Sequence, residues 1–283
     1  VFLKRQTEGS VLCTSCGVLV GVTDDKCYNC GRRNPGLWGY APALRRFGQD
    51  LGFVPLVMGA TITLYALSLL LSRSNLQMMM APSTEILFLL GASGAVPVLG
   101  FGRWWTFLTA GWLHAGVLHI LFNVLWIRQL APVVADLYGP ARMVVIYTMS
   151  GVAGFALTTF AGAYLRFLPI PFLRGADFSV GASAPIFGLL GAMVYYGRRT
   201  GSRIASQTGL QYALLMGVFG LIMPGIDNWA HAGGFAGGYF AGLVLDPLKP
   251  ERIDHMVMAF ACLLVTVLAL GWSVVTALPF LMR

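Results

Sequence analysis

Two groups of residues in this chain have the types and spacing of chemistry. The first is Cys13-Thr-Ser-Cys16-Gly17 together with Cys27-Tyr-Asn-Cys30-Gly31, two CxxCG knuckles ten residues apart. Four thiolates on two such turns match the tetrahedral preference of zinc. The glycine after each second cysteine permits the positive φ of a tight knuckle. A pair of disulfides is the alternative, disfavoured in a cytoplasmic location, and iron in a rubredoxin-like site is another. The second group centres on Gly181-Ala-Ser183-Ala-Pro185-Ile-Phe187-Gly188. A serine among small residues at the head of an apolar run is either packing or a nucleophile, and a nucleophilic hydroxyl needs a base. Of the 4 histidines, His114, His119 and His231 lie in apolar segments. His119 and Asn123 are four apart and share one helix face. His231 stands one turn before Gly234, Gly238 and Gly242, whose spacing leaves a face free of side chains for close helix approach.

The elements that must position these groups are membrane helices. The chain has 283 residues, 57% hydrophobic and 11% charged, where a soluble domain carries roughly 25% charged residues. Its mean hydropathy is +0.73. Seven apolar windows read as candidate spans: 53–72, 107–127, 143–164, 181–197, 208–224, 228–245 and 256–280. Gly151 and Gly154 in the third look like close-packing positions. Residues 86–100 read as a loop partly sunk in the interface, and Trp104, Trp105 and Trp112 as interfacial anchors. Cys262, alone in the last window, reads as packing.

The formal charge of +8 is a topology signal. With the N-terminus in the cytoplasm, the inner side holds Lys4, Arg5, Lys26, Arg32, Arg33, Arg45, Arg46, Arg128, Arg142, Arg198, Arg199, Arg203, Lys249 and Arg252. Only Arg73, Arg103, Arg166, Arg174 and Arg283 fall outside, which obeys the positive-inside rule. The pair Arg45-Arg46 reads as an attraction to anionic lipid. No nucleic-acid partner is expected. The expected setting is a bacterial cell membrane.

In that topology the second, fourth and sixth spans all run from outside to inside. His119 with Asn123, Ser183, and His231 then sit at one shallow depth below the outer face. Ser183 is placed as the N-cap of its helix and Pro185 in the first turn. The helix N-terminus favours a developing oxyanion, to which His119 and Asn123 can donate. Asp227 lies only at the surface edge, so the arrangement is a Ser–His dyad. A transporter would need ionisable residues near the bilayer midplane, and a soluble hydrolase a Gly-x-Ser-x-Gly elbow between strand and helix; neither pattern occurs.

The motifs His114-x4-His119-x3-Asn123, Gly181-x-Ser183 with Phe187-Gly188, and Ala230-His231-x2-Gly234-x3-Gly238 make residues 50–246 resemble the rhomboid intramembrane serine proteases. The resemblance implies an all-α six-helix core with a seventh transmembrane helix added at the C-terminus. It implies Ser183 as nucleophile and His231 as base, with His119, Asn123 and the Ser183 N–H as oxyanion hole. Gly234 and Gly238 would pack the sixth helix on the fourth. It implies cleavage of transmembrane segments of membrane proteins near the outer face, without a catalytic metal; an inactive rhomboid-like protein that binds membrane clients is the alternative. Thr106, Ala184 and Phe187 stand where the family usually has arginine, glycine and tyrosine. The expected organisation is a zinc-ribbon-like module at 1–36, a linker at 37–52, the core at 53–246 and the extra helix at 247–283.

Overall fold

The computed structural model describes residues 4–46, 52–72, 80–170, 173–223 and 225–281. Linker residues 47–51, Arg73, Pro224 and Arg283 lie outside them.

The N-terminal module is a small antiparallel hairpin of β1 (Ser10–Leu12) and β2 (Leu19–Gly21), with Val11 opposite Val20. The first knuckle forms its turn. Val11, Val20, Val22, Cys13 and Cys27 are its whole buried cluster. Helix α1 (Ala41–Arg45) follows.

The rest of the chain is helical. Helices α2 (Phe53–Leu71), α5 (Val117–Tyr138), α6 (Pro140–Tyr164) and α10 (Ile253–Leu281) are long and apolar enough to cross a membrane. Helices α7 (Ser183–Thr200), α8 (Arg203–Ile222) and α9 (Asn228–Val244) complete the bundle. Short α3 (Thr84–Leu90) and α4 (Thr106–Thr109) lie in the connection between α2 and α5. Gly139, at φ +95°, breaks α5, and Pro140 opens α6, where its missing N–H is no loss. Helix α7 is central: every residue from Ala184 to Tyr195 is buried, as expected of a helix apolar on all sides. Arg198 and Arg199 end it next to the left-handed Gly201, suiting the helix dipole.

Several sequence expectations shift. The second window, 107–127, is not one helix. Its first part is α4 and a single 3-10 turn (Ala110–Trp112), after which Leu113 and Gly116 are extended and α5 begins at Val117. Hydropathy cannot register such a break, and exposed Arg128 does not stop the helix, which continues to Tyr138. The segment 86–100 is mostly ordered as α3 and a π-helical turn (Val96–Gly100). Of the three tryptophans only Trp104 is exposed; Trp112 is buried, and Trp105 Nε1 donates to Ser273 Oγ of α10 (2.8 Å). Arg45 donates to Cys13 O (2.8 Å), a tie to the cysteine module, while Arg46 beside it is exposed. Ser183 is the first residue of α7; the cap is Ala182, with no side-chain cap bond. Cys262 packs against the main core, as expected.

Candidate active site and cysteine cluster

The candidate active site is assembled where α5, α7 and α9 begin. The α7–α9 pair is packed backbone to backbone. A Cβ added at Gly234 would collide with Ala184 backbone atoms, and one at Gly238 with those of Gly188. A Cβ at Gly154 of α6 would meet Ala230 O at 2.6 Å and Ala184 Cβ at 2.7 Å, so three helices touch at one level. Gly151 meets Pro185 in the same way. His231, one turn before Gly234, lies flat against Phe187, one turn after Ser183. The rings are stacked at 4.1 Å and 13°. Phe187, standing where the resemblance has tyrosine, thus provides a full aromatic platform for the imidazole.

His119 and Asn123 reach the same place from α5. Ala115 N–H donates to His119 Nδ1 (3.4 Å), which leaves Nε2 as the hydrogen-bearing nitrogen. Nε2 lies against Gly181, and a Cβ built there would also be 3.5 Å from Asn123 Nδ2. Gly181 has φ +124° and donates its N–H to Ala110 O (2.9 Å). Only glycine serves both the conformation and the approach of the imidazole. Asn123 is buried, and its Nδ2 has no partner among the described residues, nor has His231 Nδ1. Ser183 is half-buried, and no hydrogen bond joins its hydroxyl to His231 among the described residues. His114 is buried with its ring edge-on to His119 (5.1 Å).

Sequence reasoning placed Asp227 at an idle edge, but it is a cross-link. Its carboxylate accepts from Thr158 Oγ1 of α6 (2.9 Å), Ser179 Oγ (2.6 Å) and Ala230 N–H (3.0 Å). It therefore caps α9, ties it to α6, and holds the strand-like segment leading to Ser183. Ser179 in turn forms a two-bond bridge with Ser93 (3.0 and 2.8 Å). Arg103 was also missed. Its buried guanidinium donates to Phe88 O and to Leu89 O (3.0 Å) at the end of α3 and lies over the Phe88 ring (4.6 Å). It fixes the loop beside Thr106, which is itself buried and donates to Arg103 O (2.7 Å). An arginine three residues before that threonine was the available signal.

In the N-terminal module the four Sγ atoms of Cys13, Cys16, Cys27 and Cys30 lie within 4.8 Å of one another and could hold a metal ion. Cys13 and Cys30 sulfurs are 3.7 Å apart, and those of Cys16 and Cys27 3.6 Å. A tetrahedron with metal–sulfur bonds of about 2.3 Å has edges of about 3.8 Å, so the donor set fits zinc-sized coordination. Burial pushes the Cys13 thiol up to about 12 against the N–H bonds of Cys16 and Ser15. At Cys16 burial also acts upward but is outweighed, chiefly by the N–H of Val18 and the Asn29 side chain, which hold it at about 7.

Fold and site together define a polytopic helical membrane protein with a serine, a histidine and two N–H donors gathered at one end of three helices. Residues 101–248, just over half of the chain, match the family model described as Rhomboid domain. The chain is 31% identical over 193 residues to Rhomboid protease GluP of Bacillus subtilis (strain 168), covering 67% of this chain and 35% of that protein. It is 33% identical over 172 residues to RHOMBOID-like protein 7 of Arabidopsis thaliana, covering 59% and 51%. It is 31% identical over 157 residues to Putative rhomboid protease YdcA of B. subtilis, covering 53% and 72%. The chain belongs to the rhomboid family. It spans 35% to 51% of the length of the first two of these relatives.

Proposed function

We propose that this chain is an intramembrane serine endopeptidase that cuts transmembrane segments of membrane proteins. The observation that carries the reading is the convergence around the start of α7: the His119 and Asn123 donors from α5 lie against Gly181, and the imidazole of His231 from α9 stacks on Phe187, one turn after Ser183. Ser183 Oγ attacks the scissile carbonyl, and His231 takes its proton and returns it to the leaving amine. The developing oxyanion is met by His119 Nε2–H, Asn123 Nδ2–H and the Ser183 N–H at the start of α7. The Asp227 oxygens are engaged by Thr158, Ser179 and Ala230, so the base works as half of a dyad. The name Rhomboid protease GluP supports the same reading. The distribution of basic residues supports an N-terminus in the cytoplasm and, with it, a site near the outer face. The four cysteines hold zinc, which has a structural role and no part in the reaction.

The test is co-expression with a single-span membrane substrate. The parent should cleave it, and Ser183→Ala and His231→Ala should each leave it whole. Cleavage by both variants at the parental rate would refute the proposal. A parent that co-purifies with the intact substrate would instead be a client-binding member of the family.

A further inference from the structure

Among the described residues, the hydrogen bonds from the cysteine module to the helical core centre on Glu251, with Arg32 also reaching Met256 Sδ of α10 (3.1 Å). Glu251, 1% exposed, lies in the segment between α9 and α10. Its Oε1 accepts from Ala141 N–H (2.8 Å) and Arg142 N–H (3.1 Å), two of the orphan donors opening α6, whose own cap residue Gly139 offers no side chain. In return, Arg142 of α6 donates to Leu245 O (2.8 Å), Asp246 O (2.9 Å) and Lys249 O (2.7 Å), at and beyond the end of α9. Each helix thus has its unpaired end groups satisfied by the other's chain.

The contacts that cover this exchange come from the knuckles. Arg32 Nη1 donates to Glu251 Oε2 (3.0 Å), an ion pair with side chains 1% and 2% exposed, and Glu251 N–H donates to Ser15 Oγ (3.0 Å). Ser15 lies inside Cys13-x-x-Cys16, and Arg32 closes the second knuckle, its carbonyl accepting from Cys27 N–H (2.8 Å). With five buried residues in its cluster among those described, the module has little core of its own to hold these two side chains, and a bound metal would supply the missing rigidity. Charge is compatible with this. Arg32 and Arg142 face Glu251, with the Asp246 carboxylate also acting on Arg142, and a divalent ion on four thiolates adds two negative charges. Cys16, Cys30 and Arg142 line one cleft of about 440 Å³ between module and core.

We propose that the partner of the cysteine module is this chain's own helical core: loaded with metal, the module clamps Glu251 through Ser15 and Arg32. Metal occupancy thereby sets how firmly the adjoining ends of α6 and α9 are held. The clamp sits at the opposite end of α9 from His231.

The test uses the purified full chain in detergent micelles, with amide hydrogen exchange and retention of zinc against a competing chelator as readouts. Stripping the metal should speed exchange at residues 141–145 and 245–252 at least tenfold while leaving the middle of α7 unchanged. Glu251→Gln should produce the same loosening with metal present. Because coupling between two sites is reciprocal, it should also weaken zinc retention roughly tenfold, although residue 251 is no ligand. Ser15→Ala should act in the same direction more mildly, and decides the matter if Glu251→Gln does not accumulate. Unchanged exchange after the metal is removed would overturn the clamp. So would parental zinc retention in Glu251→Gln or, failing that protein, in Ser15→Ala.

Discussion

At the scale of single residues, two side chains that take no proton are nonetheless tied closely to the proposed chemistry. Phe187 fixes the plane of His231 by stacking. Phe187→Ala should cut the rate of substrate cleavage roughly 10- to 100-fold, the effect of a base displaced by a fraction of an ångström. Phe187→Tyr, which keeps the ring, should stay near the parental rate. Asp227 joins α6, α9 and the segment before Ser183. Asp227→Ala leaves Ser179, Thr158 and Ala230 N–H without their acceptor and should lower stability by about 2–3 kcal/mol. Asp227→Asn keeps an oxygen for the cap and should lose less; thermal unfolding in detergent orders the three proteins. The residues proposed for the reaction could be read from the sequence because their spacing fixes their helical level. Asp227 could not: its three partners come from different segments, and nothing in the local sequence announces them.

At the scale of elements, the packing of α9 on α7 depends on the absence of side chains at Gly234 and Gly238. Gly234→Leu should destabilise the protein by about 3 kcal/mol or more through overpacking, with loss of activity following loss of fold. Gly217 of α8 offers the control, since a Cβ there meets nothing within 4 Å. Gly217→Ala should be neutral or stabilise by up to about 1 kcal/mol, because alanine favours the helix. Chemical denaturation of both variants separates the cases. The glycine repeat was legible because a four-residue period survives in any helix. The start of α5 was not, since the backbone leaves the helix at Leu113 inside a continuous apolar window.

At the scale of the whole molecule, the cysteine module and the helical core are joined through the buried Arg32–Glu251 pair. The knuckles were evident from spacing alone. Their attachment was not, because Arg32 and Glu251 are 219 residues apart and each reads locally as a solvated charge. Metal binding to the knuckles requires thiolates. With Cys13 pushed up to about 12, a neutral solution finds it protonated before loading, so loading must release protons and acid must oppose it. Zinc retention should therefore fall steadily as pH drops through and below the Cys16 value of about 7, and titrating zinc into stripped protein should acidify a weakly buffered solution. Retention independent of pH between 5 and 8 would contradict a thiolate site (these bounds are roughly where free cysteine is protonated).

The separation of Arg32 from Glu251 also has a meaning in time. Residue 32 leaves the ribosome 219 residues ahead of residue 251. At about 5–20 residues per second, that is an interval of roughly 10–40 s. The knuckles can take up their metal while the helices are still being made, and their counterpart arrives only after α9 has been synthesised. The ion pair is thus among the last long-range contacts the nascent chain can close, and its formation marks a chain whose core helices from α2 through α9 have all emerged.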